Sequence, residues 1–85
     1  MRFTVAWTDA AAQELAALWM AAVDRNSLTR AANVIDQLLA QNPSTLGNQS
    51  FDTVRTLVIP PIGVDFEVVV DDLRVWVLSV WETSD

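Results

Sequence analysis

The sequence contains no cysteine, histidine or tyrosine, and all five of its basic residues are arginine. Without cysteine, neither a disulfide nor a thiolate-bound metal can brace the fold. Without histidine, lysine or tyrosine, the side chains most used for proton transfer near neutral pH are missing. Gly47 and Gly63 are the only glycines, so no glycine-rich phosphate loop exists. No stretch reaches the roughly 20 apolar residues of a membrane-spanning helix. The opening Met1-Arg2-Phe3-Thr4-Val5-Ala6-Trp7-Thr8-Asp9 meets an acid too soon for a secretory signal. The expectation is a cytoplasmic protein with no membrane association.

Positive charge is also scarce. Eleven acids face the five arginines, for a net charge of −6. Nucleic-acid affinity rests largely on Lys and Arg neutralising phosphates. Here Arg2, Arg25, Arg30, Arg55 and Arg74 lie scattered along the chain, so direct nucleic-acid binding is not expected.

The 85 residues have room for one domain, 1–85. Eleven of its apolar residues are alanines that bury little area each. The core must draw on Trp7, Trp19, Trp76, Trp81, the phenylalanines and the Val/Leu/Ile set, and a partner covering further apolar surface would add stability. Trp7 and Trp19 are expected to pack in or at the edge of the core.

Phe3, Val5 and Trp7 alternate with Arg2, Thr4 and Ala6, the period of a strand with one buried face. Thr8 or Asp9 can cap a helix over Ala10–Val23, with Leu15, Leu18, Trp19, Ala22 and Val23 on one stripe. Asp24-Arg25-Asn26-Ser27 breaks it. Ser27 or Thr29 then caps a second helix, with Leu28, Ala31 or Ala32, Ile35, Leu38 and Leu39 as its stripe. Asn42-Pro43 ends it, because a residue before proline is pushed out of helical geometry. From Asn42 to Ser50 the composition marks a loop.

The last third reads as strands. Phe51–Ile59 is rich in β-formers and stops at Pro60-Pro61. Ile62, Val64, Phe66, Val68 and Val70 form one apolar face opposite Asp65 and Glu67. Asp71-Asp72 suits a turn, and Leu73–Trp81 is apolar at both parities, as in a central strand. The expected fold is α+β, in the order β-α-α-β-β-β. Its helical hairpin packs on one face of a mainly antiparallel four-stranded sheet, leaving Asp65 and Glu67 on the uncovered face.

This order resembles the RelE/ParE toxin superfamily, the toxins of type II toxin–antitoxin pairs, which includes plasmid stabilisation proteins. Phe3-Thr4-Val5-Ala6-Trp7 with Ala12-Gln13-Glu14-Leu15 is similar to the family's first strand and helix. Ala32-Asn33-Val34-Ile35-Asp36-Gln37-Leu38-Leu39, with Asn42-Pro43, resembles its second helix and the proline that ends it. Val54-Arg55-Thr56-Leu57, Pro60-Pro61-Ile62-Gly63-Val64-Asp65-Phe66-Glu67-Val68 and Val75-Trp76-Val77-Leu78-Ser79-Val80-Trp81 resemble its later strands. The resemblance implies a bacterial toxin bound and silenced by a cognate antitoxin. It implies either a ParE-like poison of DNA gyrase or a RelE-like endonuclease that cuts messenger RNA on the ribosome. A non-toxic interaction module on the same scaffold, or a homodimer, is a further reading.

RNA cleavage through the 2′-hydroxyl needs a base, an acid and groups that stabilise the charged phosphorane. The residues available for a catalytic role are Arg55, which matches the family's second-strand arginine, Arg74 and Glu67. Trp81-Glu82-Thr83-Ser84-Asp85 offers carboxylates where relatives carry bases. Ser27, Ser44, Ser50, Ser79 and Ser84 have no histidine to activate them. The plainer expectation pairs Arg55 with Asp65 or Glu67 across neighbouring strands and assigns Trp76, Trp81 and the apolar helix hairpin to partner binding. The net negative charge predicts a basic or apolar antitoxin segment, such as a helix lying in a groove of the domain. The acids Asp52, Asp65, Glu67, Asp71 and Asp72 lack the spacing of a known cation loop. No metal or cofactor is expected.

Overall fold

The structure is a computed structural model describing residues 2–83, with the Phe51 side chain left aside. Met1, Ser84 and Asp85 lie outside the described residues, so the acidic ending read from the sequence is followed only as far as Thr83.

Strand β1 (Thr4–Trp7) leads through Thr8 into helix α1 (Asp9–Ala21). Thr8 Oγ1 accepts a bond from the Ala11 N–H at 3.1 Å, which caps a helix donor that would otherwise have no partner. Helix α2 (Arg25–Gln41) begins earlier than expected. Its cap is Asp24, which accepts from the Ser27 N–H at 3.1 Å and the Ser27 hydroxyl at 2.6 Å. Ser27 and Thr29 sit inside the helix; Asp24 wins because its two oxygens take both Ser27 donors. The connection shrinks to Ala22–Asp24, and Val23 falls beyond the α1 stripe, fully exposed. Arg25 closes this corner by donating to the Trp19 and Met20 carbonyls at the end of α1, at 3.0 and 3.2 Å. The end of α2 matches the sequence reading: Asn42 is its C-cap, followed by a 3₁₀ turn, Pro43–Thr45.

The 42–50 segment is more ordered than its composition suggests. After the 3₁₀ turn it forms an edge strand, β2 (Asn48–Phe51), so the sheet has five strands, not four. A strand of Asn, Gln and Ser carries no apolar alternation to reveal it. Phe51 belongs to β2, and Asp52, with φ of 51°, turns the chain into β3 (Val54–Ile59). Gly47 has φ of +63°, and a Cβ there would lie 2.0 Å from the Thr56 carbonyl oxygen, so only glycine fits.

A hairpin through Pro60-Pro61 joins β3 to β4 (Ile62–Val69), and Val70–Leu73 turns the chain into β5 (Arg74–Glu82). The sheet order is β1-β5-β4-β3-β2, with β1 parallel to β5 and the other pairs antiparallel. The expected central position of the last strand holds. Its apolar residues at both parities have a specific origin. Asp65 pairs with Ser79 but Phe66 with Val77, so Leu78 is an extra residue that switches parity. Val75, Val77 and Val80 therefore all face the core.

Both helices cover one face of the sheet, α1 chiefly over β5 and α2 over β1, β3 and β4. Beneath them Phe66, Ile62, Val64, Val75 and Val77 meet Ile35 and Leu39, all fully buried. Burying a large aliphatic or aromatic side chain contributes about 1.5–3 kcal/mol, so this layer holds the sheet and helices together. No described helix is long and apolar enough to cross a membrane.

Candidate functional site: a bare sheet face and a helical groove

The strand pairings place the sequence-predicted residues on two different faces. Residues directly opposite one another share a face. Arg55 opposes Phe66, whereas Thr56 opposes Asp65 and Val54 opposes Glu67. Arg55 therefore lies on the helix side of the sheet, away from both acids. It donates to the carbonyls of Leu46 at 2.8 Å and Gly47 at 3.2 Å, tying down the segment that enters β2. The expected cross-strand ion pair is corrected accordingly: Arg55 satisfies backbone acceptors on the opposite face.

The uncovered face carries Asp65, Glu67, Arg74, Trp76, Ser79 and Trp81. Asp65 accepts from the Thr56 hydroxyl at 2.6 Å and the Ser79 hydroxyl at 3.1 Å, one bond to each oxygen. Glu67 accepts from the Thr53 hydroxyl at 2.5 Å. Trp76 opposes Glu67 and is 36% exposed, with the Arg74 guanidinium 5.5 Å from its ring centroid. Trp81 opposes Gly63 and lies across it; a Cβ on Gly63 would sit 2.7 Å from the indole. Thus Glu67 and Arg74 share a face, while Arg55, the third residue considered for catalysis, is on the other. Among the described strand residues, the charged groups on the bare face are the Arg74 guanidinium, already over an indole, and the Asp65 and Glu67 carboxylates, which repel phosphate. Among the described residues, carboxylates do not gather in threes.

The second feature lies on the helical side, where the helix hairpin is expected to offer contact area. A groove of about 540 Å³ runs between the helices. Ala12, Ala16, Trp19 and Met20 line it from α1, Leu28 and Ala32 from α2. Trp19, expected in or at the edge of the core, is 42% exposed, and Met20 is 70% exposed. The indole of Trp19 is held at the rim by the Arg25 guanidinium, 4.4 Å from its centroid. The opposite end is polar: Trp7 Nε1 donates to Asp36 Oδ1 at 2.8 Å, and both residues line the groove. Trp7 itself is half-buried against the core, as expected. The available signal was the row of alanines on α1, whose small side chains leave the space open.

No protein-family model matches the chain, and no curated protein matches it closely. Solved structures do. A chain of the RelBE2 toxin–antitoxin complex from Mycobacterium tuberculosis superposes with a TM-score of 0.82 at 15% identity, over 100% of this chain and 95% of that one. A chain of the chromosomal ParDE system from P. aeruginosa gives 0.69 at 20% identity, over 98% of each chain. The isolated RelE toxin of E. coli gives 0.60 at 13% identity, over 98% of this chain and 86% of that one. The strand order, the helix pair on one face and these superpositions together give this chain the fold of the RelE/ParE toxins.

Proposed function

We propose that this chain is the toxin component of a bacterial type II toxin–antitoxin pair, that it acts by binding a protein, and that a cognate antitoxin neutralises it. The observation that carries the non-catalytic form is the bare sheet face. Its acids are held by threonine and serine hydroxyls, and Arg55 is engaged on the other side of the sheet. A binding toxin needs a surface rather than a proton-transfer set, and poisoning of DNA gyrase fits that requirement. The groove between α1 and α2 is the surface assigned to the antitoxin, because large apolar side chains stand exposed there.

Induced expression in a bacterial host, with and without the neighbouring gene, tests this reading. Growth arrest with intact messenger RNA, relieved by the neighbour, is the expected result. Fragmented messenger RNA would replace it with the RelE-like endonuclease reading. Normal growth would leave a non-toxic interaction module.

A further inference from the structure

The bare sheet face sets an open indole beside a carboxylate. Trp76 stands in a row with Ala6 on β1, Glu67 on β4 and Val54 on β3. Ala6 contributes only a methyl group, so the indole stays open on that side and is 36% exposed although β5 lies inside the sheet. Glu67 is half-buried and accepts from the Thr53 hydroxyl at Oε2. A carboxylate offers about four acceptor sites, and among the described residues no cation reaches either oxygen. The indole already attracts positive charge, since the Arg74 guanidinium lies 5.5 Å from its centroid. The next row is different: Thr56 and Ser79 each bond one oxygen of Asp65, which joins that row within the sheet. The turns at the Glu67 end of the sheet add the exposed Asp52, Asp71 and Asp72, against Arg2 and Arg74.

We infer that the bare sheet face docks a partner protein through a basic segment, with the Trp76 indole as the apolar anchor and Glu67 as the residue that reads an incoming Arg or Lys. This names the chemistry of the protein bound in the function proposed above, and rests on that reading for the partner's being the toxin's target. Val54 and Trp76 flank Glu67, so the basic side chain arrives with apolar neighbours on both sides. Covering Val54 and the indole excludes water from the new ion pair and strengthens it. The Arg74 guanidinium has no carboxylate or carbonyl partner among the described residues, so it is free to swing off the ring as the partner lands. The acids of the two turns and the chain's net charge of −6 steer positive charge to this end of the sheet and turn phosphate away.

The experiment titrates the full chain with a soluble β-hairpin peptide that carries one Arg between two apolar residues on one face. Analogues with Gln or Glu in place of the Arg, and a single-stranded oligoribonucleotide, run beside it. Binding is read from backbone amide and indole N–H shifts by NMR, with the Trp76 indole signal assigned through Trp76→Phe. The Arg peptide should shift bare-face resonances and bind about fivefold more tightly than the Gln analogue. Glu67→Gln keeps an acceptor for the Thr53 hydroxyl; it should erase that preference and leave the Gln analogue's affinity unchanged. Trp76→Ala should weaken every peptide by more than about tenfold, with its fold checked by circular dichroism. No shift on the bare face, equal or tighter binding of the Glu analogue, a preference that survives Glu67→Gln, or a face taken by the oligoribonucleotide instead would each overturn the inference. A chain that binds the Arg peptide but does not arrest growth keeps this inference and loses the toxin reading. Growth arrest by a chain that binds no basic peptide does the reverse.

Discussion

The two faces of the sheet are built from the same strands and obey different rules. On the covered face, β4 and β5 contribute Ile62, Val64, Phe66, Val75 and Val77, all without solvent exposure. On the bare face the same two strands contribute Asp65, Glu67, Trp76, Ser79 and Trp81; Asp65 accepts from the Thr56 hydroxyl of β3 and the Ser79 hydroxyl of β5, and Glu67 from the Thr53 hydroxyl in the turn before β3. The covered face holds the fold together by excluding water. The bare face keeps its polar groups satisfied within the sheet, which leaves it poorly equipped to bind phosphate. Arg55 shows why a strand position cannot be judged by residue type alone. It carries the charge a nuclease needs, but its parity puts it on the covered face, against backbone carbonyls.

Breaking the covered face should cost most. Phe66→Ala removes a fully buried ring, and an expected loss of about 3–5 kcal/mol should appear as a large drop in the urea midpoint. Next comes Gly47→Ala, which places a Cβ against the Thr56 carbonyl at a positive φ. A loss of about 2 kcal/mol is expected from strain of this kind, measured the same way. On the bare face, Asp65→Asn keeps acceptor capacity for the Thr56 or Ser79 hydroxyl. It should change stability by about 1 kcal/mol or less. If it proved as damaging as Phe66→Ala, the contrast between the faces would fail.

The smallest effect is electrostatic. The Ser27 hydroxyl, followed by the Ser27 backbone N–H, holds the exposed Asp24 carboxyl below the ordinary aspartate range. A depressed value means the capping contribution is present above the unfolded-state pKa and fades as pH falls through the folded one. Helicity followed by circular dichroism from about pH 5 to about pH 2 should show this fraying in the wild type. Asp24→Asn should remove that part of the pH dependence, and an unchanged pH profile in the variant would contradict the cap.

Much of this architecture is legible in the residues, because it rests on period and punctuation. The even-numbered apolar residues of β4 declare its buried face, and Asn42-Pro43 marks the end of α2. What is hidden depends on long-range partners. The strand β2 is polar and exists because β3 offers it a pairing edge. The start of α2 depends on which neighbouring oxygen wins the cap. The bulge at Leu78 shows only when Phe66 is seen opposite Val77. The groove's place between the two helices is hidden as well, because sequence patterns report side chains rather than the space between them. The bare-face acids were placed correctly from alternation; Arg55 was not, because β3 lacks a clean alternation to assign its parity.

That placement also changes which variant probes catalysis. Arg55→Ala would loosen the tie to Leu46 and Gly47, so loss of function there would report on folding. Glu67→Gln with Arg74→Gln changes the bare face alone. The most direct measurement is therefore growth and messenger-RNA integrity after induction of the wild type and this double variant. The binding account predicts arrest with intact messenger RNA in the wild type and no RNA-cleavage activity for the double variant to lose. Messenger RNA cut in the wild type and spared in the double variant would contradict it.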